Sequence, residues 1–356
     1  MPAADENARF IEAARTQGML TEQIAAELLD SDDSSEVAAT LVLKRGLMDA
    51  RQVDMIQTLV SGQQSIPGYT IIDIIGHGGM GVVFRARQEA LSRDVALKTI
   101  LVGGRVEEAV QRFRNEATSV ARLNHPNIVT AFDSGQHDGR IYFSMELVDG
   151  QNLTDYVQHR RRLSVAEALA ITRQAALGLA HAWEHRIVHR DIKPDNLLMT
   201  APSEFDQSRT VKITDLGLAH LQSDSDEARI TRTGAAIGSP LYMSPEQLHS
   251  GDVDCRSDIY SLGSTLYFML SGRPPFDGDT VSAVLYNKAS GSSLPLRDVA
   301  EVDERVEQLV SRMMASSPEE RFQNYRITET LSPPSTGLSE NLRAAFPLRT
   351  WPPRSH

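Results

Sequence analysis

The stretch His189-Arg190-Asp191-Ile192-Lys193-Pro194-Asp195-Asn196 decides how the chain is interpreted, and it lies between two apolar runs. Asp191 precedes Lys193 by two positions and Asn196 by five, so one short loop offers a base, a cation and a metal ligand together. This combination is typical of phosphoryl transfer. A solvated charged loop can have the same sequence by chance. The assignment therefore depends on further motifs elsewhere in the chain.

A glycine-rich turn separates two apolar, β-branched runs further towards the amino terminus. The first run begins at Tyr69, and Val82-Val83-Phe84 follows Gly76-His77-Gly78-Gly79-Met80-Gly81. Glycines let backbone amides approach phosphate groups closely. A dinucleotide-binding loop has similar spacing but passes from a strand into a helix. Here a second strand is predicted, so a nicotinamide-dependent enzyme is disfavoured.

Lys98 lies in a strand-like run and alternates with Val95 and Leu97, so it should project from the opposite face of the strand. A lysine in such a place is usually solvated, but a buried one needs a counter-charge. The helical pattern from 107 to 123 places Glu116 at the edge of the apolar face. We therefore expect Glu116 to pair with Lys98.

These stretches, in this order, resemble the catalytic domains of bacterial eukaryotic-like serine/threonine protein kinases. Val211-Lys212-Ile213-Thr214-Asp215-Leu216-Gly217 resembles their metal-binding segment, with leucine in place of the usual phenylalanine. Ser239-Pro240-Leu241-Tyr242-Met243-Ser244-Pro245-Glu246 resembles the end of their activation loop. The resemblance implies an α+β, two-lobed fold, with a small, mainly β N-lobe carrying one key helix and a larger, mainly α C-lobe.

The resemblance also implies chemical roles. Asp191 would orient the acceptor hydroxyl and take its proton, Lys193 would stabilise the transferring phosphoryl group of ATP, and Lys98 with Glu116 would position the phosphates. Asn196 and Asp215 would hold Mg²⁺, and Mn²⁺ is also compatible with these ligands. The expected ATP-binding residues are Ile75, Gly76, His77, Gly78, Gly79, Met80, Gly81, Val83, Ala96, Lys98, Met145, Glu146 and Val148.

Further residues are expected to regulate or support this site. Thr231 and Thr233 lie in a segment that resembles autophosphorylated activation loops, and Arg190 is a cation that a phosphate there could satisfy. The supporting roles implied are a hydroxyl contact from Ser239 to Asp191 and Lys193, a buried ion pair between Glu246 and Arg321, and backbone anchoring by Asp258. His189 is better interpreted as a packed residue than as a base or metal ligand, and Cys255 as structural rather than reactive.

The chain divides by composition into several regions. Residues 1–60 have the periodicity of short amphipathic helices and form a small appendage, either a docking module or a packed extension of the next domain. Residues 61–68 are the predicted linker, and 69–330 the kinase domain, with lobes at 69–148 and 149–330. The proline-rich residues 331–356 are expected to be disordered.

The composition of the chain disfavours some classes of binding partner. The chain has 356 residues, a net charge of -11 and one cysteine, which argues against nucleic acid and against an internal disulfide. No signal peptide or membrane-spanning run is evident, so a cytoplasmic protein is expected. The predicted function is phosphorylation of Ser and Thr hydroxyls in proteins. The protein is also expected to phosphorylate itself, one copy acting on the other in a dimer. The alternative is a pseudokinase scaffold that binds a protein partner through residues 1–60.

Overall fold

The computed structural model describes residues 2–30, 37–61, 66–78, 81–101, 119–137, 140–202, 209–216, 240–248, 253–291, 293–325 and 327. Backbone contacts divide the chain into two compact units. The first comprises residues 1–111 and 132–147, and the second comprises 112–131 and 148–356. One unit is built on a β-sheet and the other mainly on helices, which confirms the predicted α+β class.

The first unit opens with a helical region that has its own apolar core, formed by residues such as Phe10, Val42 and Ile56. Its helices are α1 (Pro2–Thr16), α2 (Glu22–Asp30), α3 (Ala38–Lys44) and α4 (Ala50–Ser61). Asp49 and Gln52 cap the start of α4 reciprocally, since each side chain accepts a hydrogen bond from the backbone amide of the other at 2.8 Å. The helices follow the sequence periodicity because each buries one apolar face.

The sheet of the first unit has five strands in the order β1-β2-β3-β5-β4. Three of its pairings, β1 with β2, β2 with β3 and β3 with β5, are antiparallel. The strands are β1 (Tyr69–Gly78), β2 (Gly81–Gln88), β3 (Arg93–Leu101), β4 (Ala131–His137) and β5 (Arg140–Glu146).

The helical region and the sheet are packed on each other within the first unit. Ile74 of β1 contacts the helical core, and Leu59 of α4 contacts the sheet core. Arg140 of β5 donates hydrogen bonds to Asp54 and to Thr58, which both lie in α4. Ile66, in the predicted linker, is fully buried in the sheet core. Part of that linker is therefore core structure, because an isoleucine side chain gains free energy when it leaves water.

The second unit contains a three-stranded sheet, ordered β6-β7-β8, and a set of helices. Its strands are β6 (Gly150–Asn152), β7 (Leu197–Thr200) and β8 (Val211–Ile213), and its helices are α5 (Leu153–Arg160), α6 (Val165–Glu184), α7 (Pro245–Leu248), α8 (Cys255–Ser271), α9 (Val281–Ala289) and α10 (Glu304–Met313). Three-residue 3₁₀ turns cover Pro194–Asn196, Leu296–Asp298 and Pro318–Glu320.

The helix predicted from residue 165 to 185 corresponds to α6, and the Ser164 side chain caps its first turn. Helix α8 packs against α6, and its residues from Ser257 to Leu270 are all buried. In the part of the chain that the structure describes, no helix combines the length and apolar character needed to cross a membrane. The predicted disordered tail, 331–356, lies outside the described residues.

Candidate active site

The glycine-rich turn joins β1 to β2, and Gly78 pairs with Gly81 across the hairpin. Gly81 has a φ of 137°, and a Cβ at this position would lie 2.0 Å from the backbone oxygen of Thr99. Glycine is therefore required at Gly81 on steric grounds. Gly79 and Met80 lie outside the described residues. Ile75 and His77, on the β1 side of the turn, are exposed.

The sheet register brings together several of the residues predicted to bind ATP. Val83 pairs with Lys98, and Ala96 pairs with Met145. Because paired residues and alternate residues share one face of a sheet, these four side chains lie on the same face. Lys98 is only 3% exposed, so it is not a solvated strand residue. Its predicted partner, Glu116, lies outside the described residues.

The loop from His189 to Asn196, the predicted catalytic loop, lies in the second unit and is held by its own side chains. Lys193 Nζ lies 2.8 Å from Asp191 Oδ2. Asn196 Nδ2 donates to the backbone oxygen of Asp191 at 2.7 Å and to its Oδ2 at 3.1 Å. The carboxylate of Asp191 is thus oriented by an amide and a cation. At 8% exposure, that carboxylate lies in a partly desolvated setting where electrostatic effects are strong.

Asp258 of α8 anchors the backbone of this loop. Its Oδ2 accepts from the amide of His189 and its Oδ1 from the amide of Arg190, both at 2.8 Å. Tyr325 donates to Oδ2 at 3.2 Å. Burial raises the pKa of Asp258, although these hydrogen bonds oppose that effect. The anchored Arg190 has a φ of 69°, a conformation that a non-glycine residue holds only with support from its surroundings.

His189 is fully buried, and its two ring nitrogens have different partners. Nδ1 accepts from the amide of Asp191 at 3.2 Å, and Nε2 lies 2.9 Å from the carbonyl oxygen of Thr214, to which it donates. This pairing fixes the neutral tautomer with a proton on Nε2. His189 therefore connects the catalytic loop to the end of β8, and both nitrogens are already occupied.

Asp215 follows directly after Thr214 and has a φ of 61°. The amide of Thr214 donates to the carbonyl of Asn196 at 3.0 Å, which ties this segment to the catalytic loop. Since Nδ2 of Asn196 is bonded to Asp191, Oδ1 is the atom of that side chain suited to a metal. An amide oxygen and a carboxylate are ligands that fit Mg²⁺ or Mn²⁺. Leu216, in place of the usual phenylalanine, is buried.

Glu246 and Arg321 form a bidentate ion pair, with N–O distances of 2.7 and 2.8 Å. Arg321 is 1% exposed. Burial alone would raise the pKa of Glu246, but hydrogen bonds from Arg321 and Ser257 outweigh it and lower the pKa to about 2. The pair links the segment before α8 to the chain after the turn at 318–320. Its role is architectural.

The remaining predicted residues differ in how far they are buried. Arg190 is half-buried rather than fully buried, as are Glu146 and Val148. Cys255 is buried, and burial raises the pKa of its thiol to about 11, as expected for a structural cysteine. Thr231, Thr233 and Ser239 lie outside the described residues.

Two residues that were not predicted from the sequence support the site from other parts of the chain. Gln247 donates to the backbone oxygen of Arg190 at 2.6 Å, and its Oε1 accepts from the amide and hydroxyl of Ser244 at 3.0 Å. Lys288 of α9 donates to the backbone just before Ser244. Neither residue belongs to a local motif, and only the position of Gln247 beside Glu246 could have drawn attention to it.

The chain is similar in sequence to known proteins over most of its length. A family described as the protein kinase domain matches residues 69–332. The chain is 37% identical over 275 residues to the serine/threonine-protein kinase PrkC of Bacillus subtilis, covering 77% of this chain and 41% of that protein. It is 38% identical over 261 residues to PknB of Mycolicibacterium smegmatis, covering 72% and 41%. The chain thus spans about two fifths of the length of these curated relatives.

Proposed function

Because the chain belongs to the protein kinase family, we propose that it transfers the γ-phosphoryl group of ATP to serine and threonine hydroxyls of proteins. The observation that supports this most directly is the arrangement of the catalytic loop. Lys193 Nζ and Asn196 Nδ2 both contact Oδ2 of Asp191, at 2.8 and 3.1 Å. A base, a cation and a metal ligand thus lie within a few ångströms of one another.

In the proposed reaction, the acceptor oxygen forms a bond to the γ-phosphorus while the bond to the bridging oxygen of ADP breaks. Asp191 orients the hydroxyl and receives its proton. Lys193 stabilises the charge on the transferring group, and a lysine here accords with Ser/Thr rather than Tyr acceptors. Asn196 and Asp215 would hold a divalent metal, which supplies electrostatic stabilisation to the phosphates when bound. Mg²⁺ is the proposed ion, and Mn²⁺ is an alternative.

We assign the nucleotide to the face of the first sheet that carries Val83, Ala96, Lys98 and Met145, together with the glycine-rich turn. The backbone of Glu146 and Val148 would contact adenine. Lys98 would pair with Glu116 and the phosphates, because a buried ammonium requires anionic partners.

We further propose that the chain phosphorylates itself on Thr231 and Thr233, in trans within a dimer, and that Arg190 binds the resulting phosphate. Residues 1–60 are proposed to form a helical module of the first unit that also contacts a protein partner. The residues after 330 are proposed to be a tail outside the kinase domain, and the location of the protein is proposed to be the cytoplasm.

The test is incubation of the full chain with ATP and Mg²⁺, followed by intact-mass and peptide mass spectrometry, with Asp191→Asn as the matched control. Phosphate on Thr231 or Thr233 in the wild type and none in the variant is expected. A wild type that binds ATP but transfers no phosphoryl group to itself or to an added acceptor would overturn the proposed activity. That result would favour the scaffold alternative.

A further inference from the structure

Lys288 is a buried cation that belongs to none of the motifs described above. It lies near the end of α9 and is 4% exposed. Its Nζ donates to the backbone oxygens of Pro240 at 2.8 Å, Leu241 at 3.2 Å and Met243 at 2.5 Å. One side chain thus holds three carbonyl groups of a segment more than 40 residues away in sequence.

The chemistry of this contact indicates an ammonium group. Three acceptors match the three N–H donors of a protonated lysine, whereas a neutral amine has only two. Burial lowers the pKa of Lys288 to about 7. Hydrogen bonds to three carbonyl oxygens favour the charged form of an amine. The rings of Tyr260 and Phe276, with centroids 5.5 and 5.6 Å from Nζ, add cation–π attraction.

Stability alone is a weak explanation for a charge in this position. A buried cation pays a desolvation cost, and an apolar side chain of similar volume often serves the fold equally well. A lysine can hold three peptide carbonyls of one short segment in a fixed orientation, which an apolar side chain cannot do. The role of Lys288 therefore depends on the segment that it holds.

That segment, residues 240–243, leads directly into residues that contact the catalytic loop. Ser244 follows it and is bonded to Gln247, which donates to the backbone oxygen of Arg190 beside Asp191. Tyr242, within this segment, is buried, and its ring packs edge-on against Phe268 of α8 with the ring centroids 6.4 Å apart. The segment is thus held by α9 through Lys288, and Ser244, which follows it directly, is linked to the catalytic loop through Gln247.

We propose that Lys288 is a positioning residue for the protein acceptor. By fixing the backbone of residues 240–243 beside the catalytic loop, it preorganises the surface over which an acceptor chain must pass to bring its hydroxyl to Asp191. The inference rests on the proposed phosphoryl transfer. No hydrogen bond joins Lys288 to Asp191, Lys193 or Asn196 in the described residues, so its loss should weaken acceptor binding and leave the chemical step intact.

The experiment is steady-state kinetics of the full chain with ATP and dephosphorylated casein, a generic Ser/Thr acceptor. Lys288→Met keeps the approximate length of the side chain but removes its hydrogen-bond donors. The variant is expected to have a KM for casein about tenfold higher than wild type, with kcat and KM for ATP within about twofold of wild type. Lys288→Arg retains donors and is expected to restore most of the affinity. Arg162→Met, which removes an exposed cation of the second unit, is the control and should leave all three parameters unchanged.

The outcomes separate the two proposals. A wild type that phosphorylates neither casein nor itself contradicts the proposed function. An active wild type with a Lys288→Met variant of unchanged KM for casein, or with kcat reduced and KM unchanged, overturns the role of Lys288 alone. If near-ultraviolet circular dichroism shows that Lys288→Met does not fold, Lys288→Gln replaces it, and the same selective rise in KM for casein is required.

Discussion

Replacement of Glu246 by Gln tests whether the ion pair with Arg321 exists in its charged form. In the folded protein the pKa of Glu246 is lowered from an ordinary value of 4.5 to about 2. By linkage, a difference of this size corresponds to about 3 kcal/mol of stability at neutral pH. Because the pKa is depressed by folding, this stability is present above the unfolded pKa. It is lost as the pH falls towards the folded pKa.

The expected result is therefore a pH-dependent effect of Glu246→Gln. At neutral pH the variant should be less stable by about 3 kcal/mol, since Arg321 loses an ionised partner while remaining buried. The deficit should shrink by about 1.4 kcal/mol when the pH is lowered to about 3.5, where the unfolded wild-type carboxylate is mostly protonated.

The assay is urea unfolding at a series of pH values, followed by tryptophan fluorescence. A Trp351→Phe background leaves Trp183 of α6 as the single tryptophan, so the signal reports on the second unit. Glu319→Gln is the matched control, because its carboxylate also faces an arginine, Arg256 at 3.2 Å, but is 72% exposed. Because solvent screens an exposed pair, Glu319→Gln should change stability far less than Glu246→Gln does. A Glu246→Gln deficit that is constant over this pH range would refute the charged ion pair.

Three further predictions follow from contacts in the two units. Gln247→Leu should lower kcat about tenfold with little change in KM for ATP, because it leaves the Arg190 carbonyl without this donor; steady-state kinetics against the control Gln158→Leu, at an exposed position of α5, test this, and an unchanged kcat would count against it. Gly81→Ala should lower the thermal stability of the first unit by about 1 kcal/mol or more, since its φ of 137° suits only glycine; differential scanning calorimetry measures the shift, and a melting temperature equal to wild type would contradict it. Arg140→Met should destabilise the same unit by about 1–3 kcal/mol because Asp54, whose pKa burial already raises, loses its counter-charge. Limited proteolysis between α4 and β1, compared with the exposed control Arg87→Met, checks this last prediction, and equal cleavage rates would argue against it.

Much of the fold could be predicted because its signals are local. The β1 and β2 strands follow from β-branched runs on either side of a glycine-rich turn, and α6 follows from apolar residues at helical spacing after Ser164. The catalytic loop could be predicted as well, since Asp191, Lys193 and Asn196 lie within six residues. In such a short loop, spacing alone brings the side chains within hydrogen-bonding distance.

Other features depended on contacts between distant parts of the chain. Lys288 is separated from the segment that it holds by more than 40 residues, and in sequence it is an ordinary lysine near the end of a helix. Gln247 and Tyr325 are similar cases. The hydrogen-bond partner of a polar side chain can be identified only after folding has placed a carbonyl or carboxylate beside it. The region around Ile66 reads as a polar linker, yet the isoleucine is buried because α4 and β1 meet there.

The sequence by itself determined the family, the class of fold and the residues of the catalytic loop, since each rests on residue types at fixed short spacing. The tertiary structure alone decided that α4 and β1 share a core, that Asp258 and Gln247 fix the two sides of the Arg190 peptide, and that Lys288 holds residues 240–243. The physical reason is that burial and hydrogen bonding are properties of neighbours in space. Those neighbours are set by the packing of whole helices and strands.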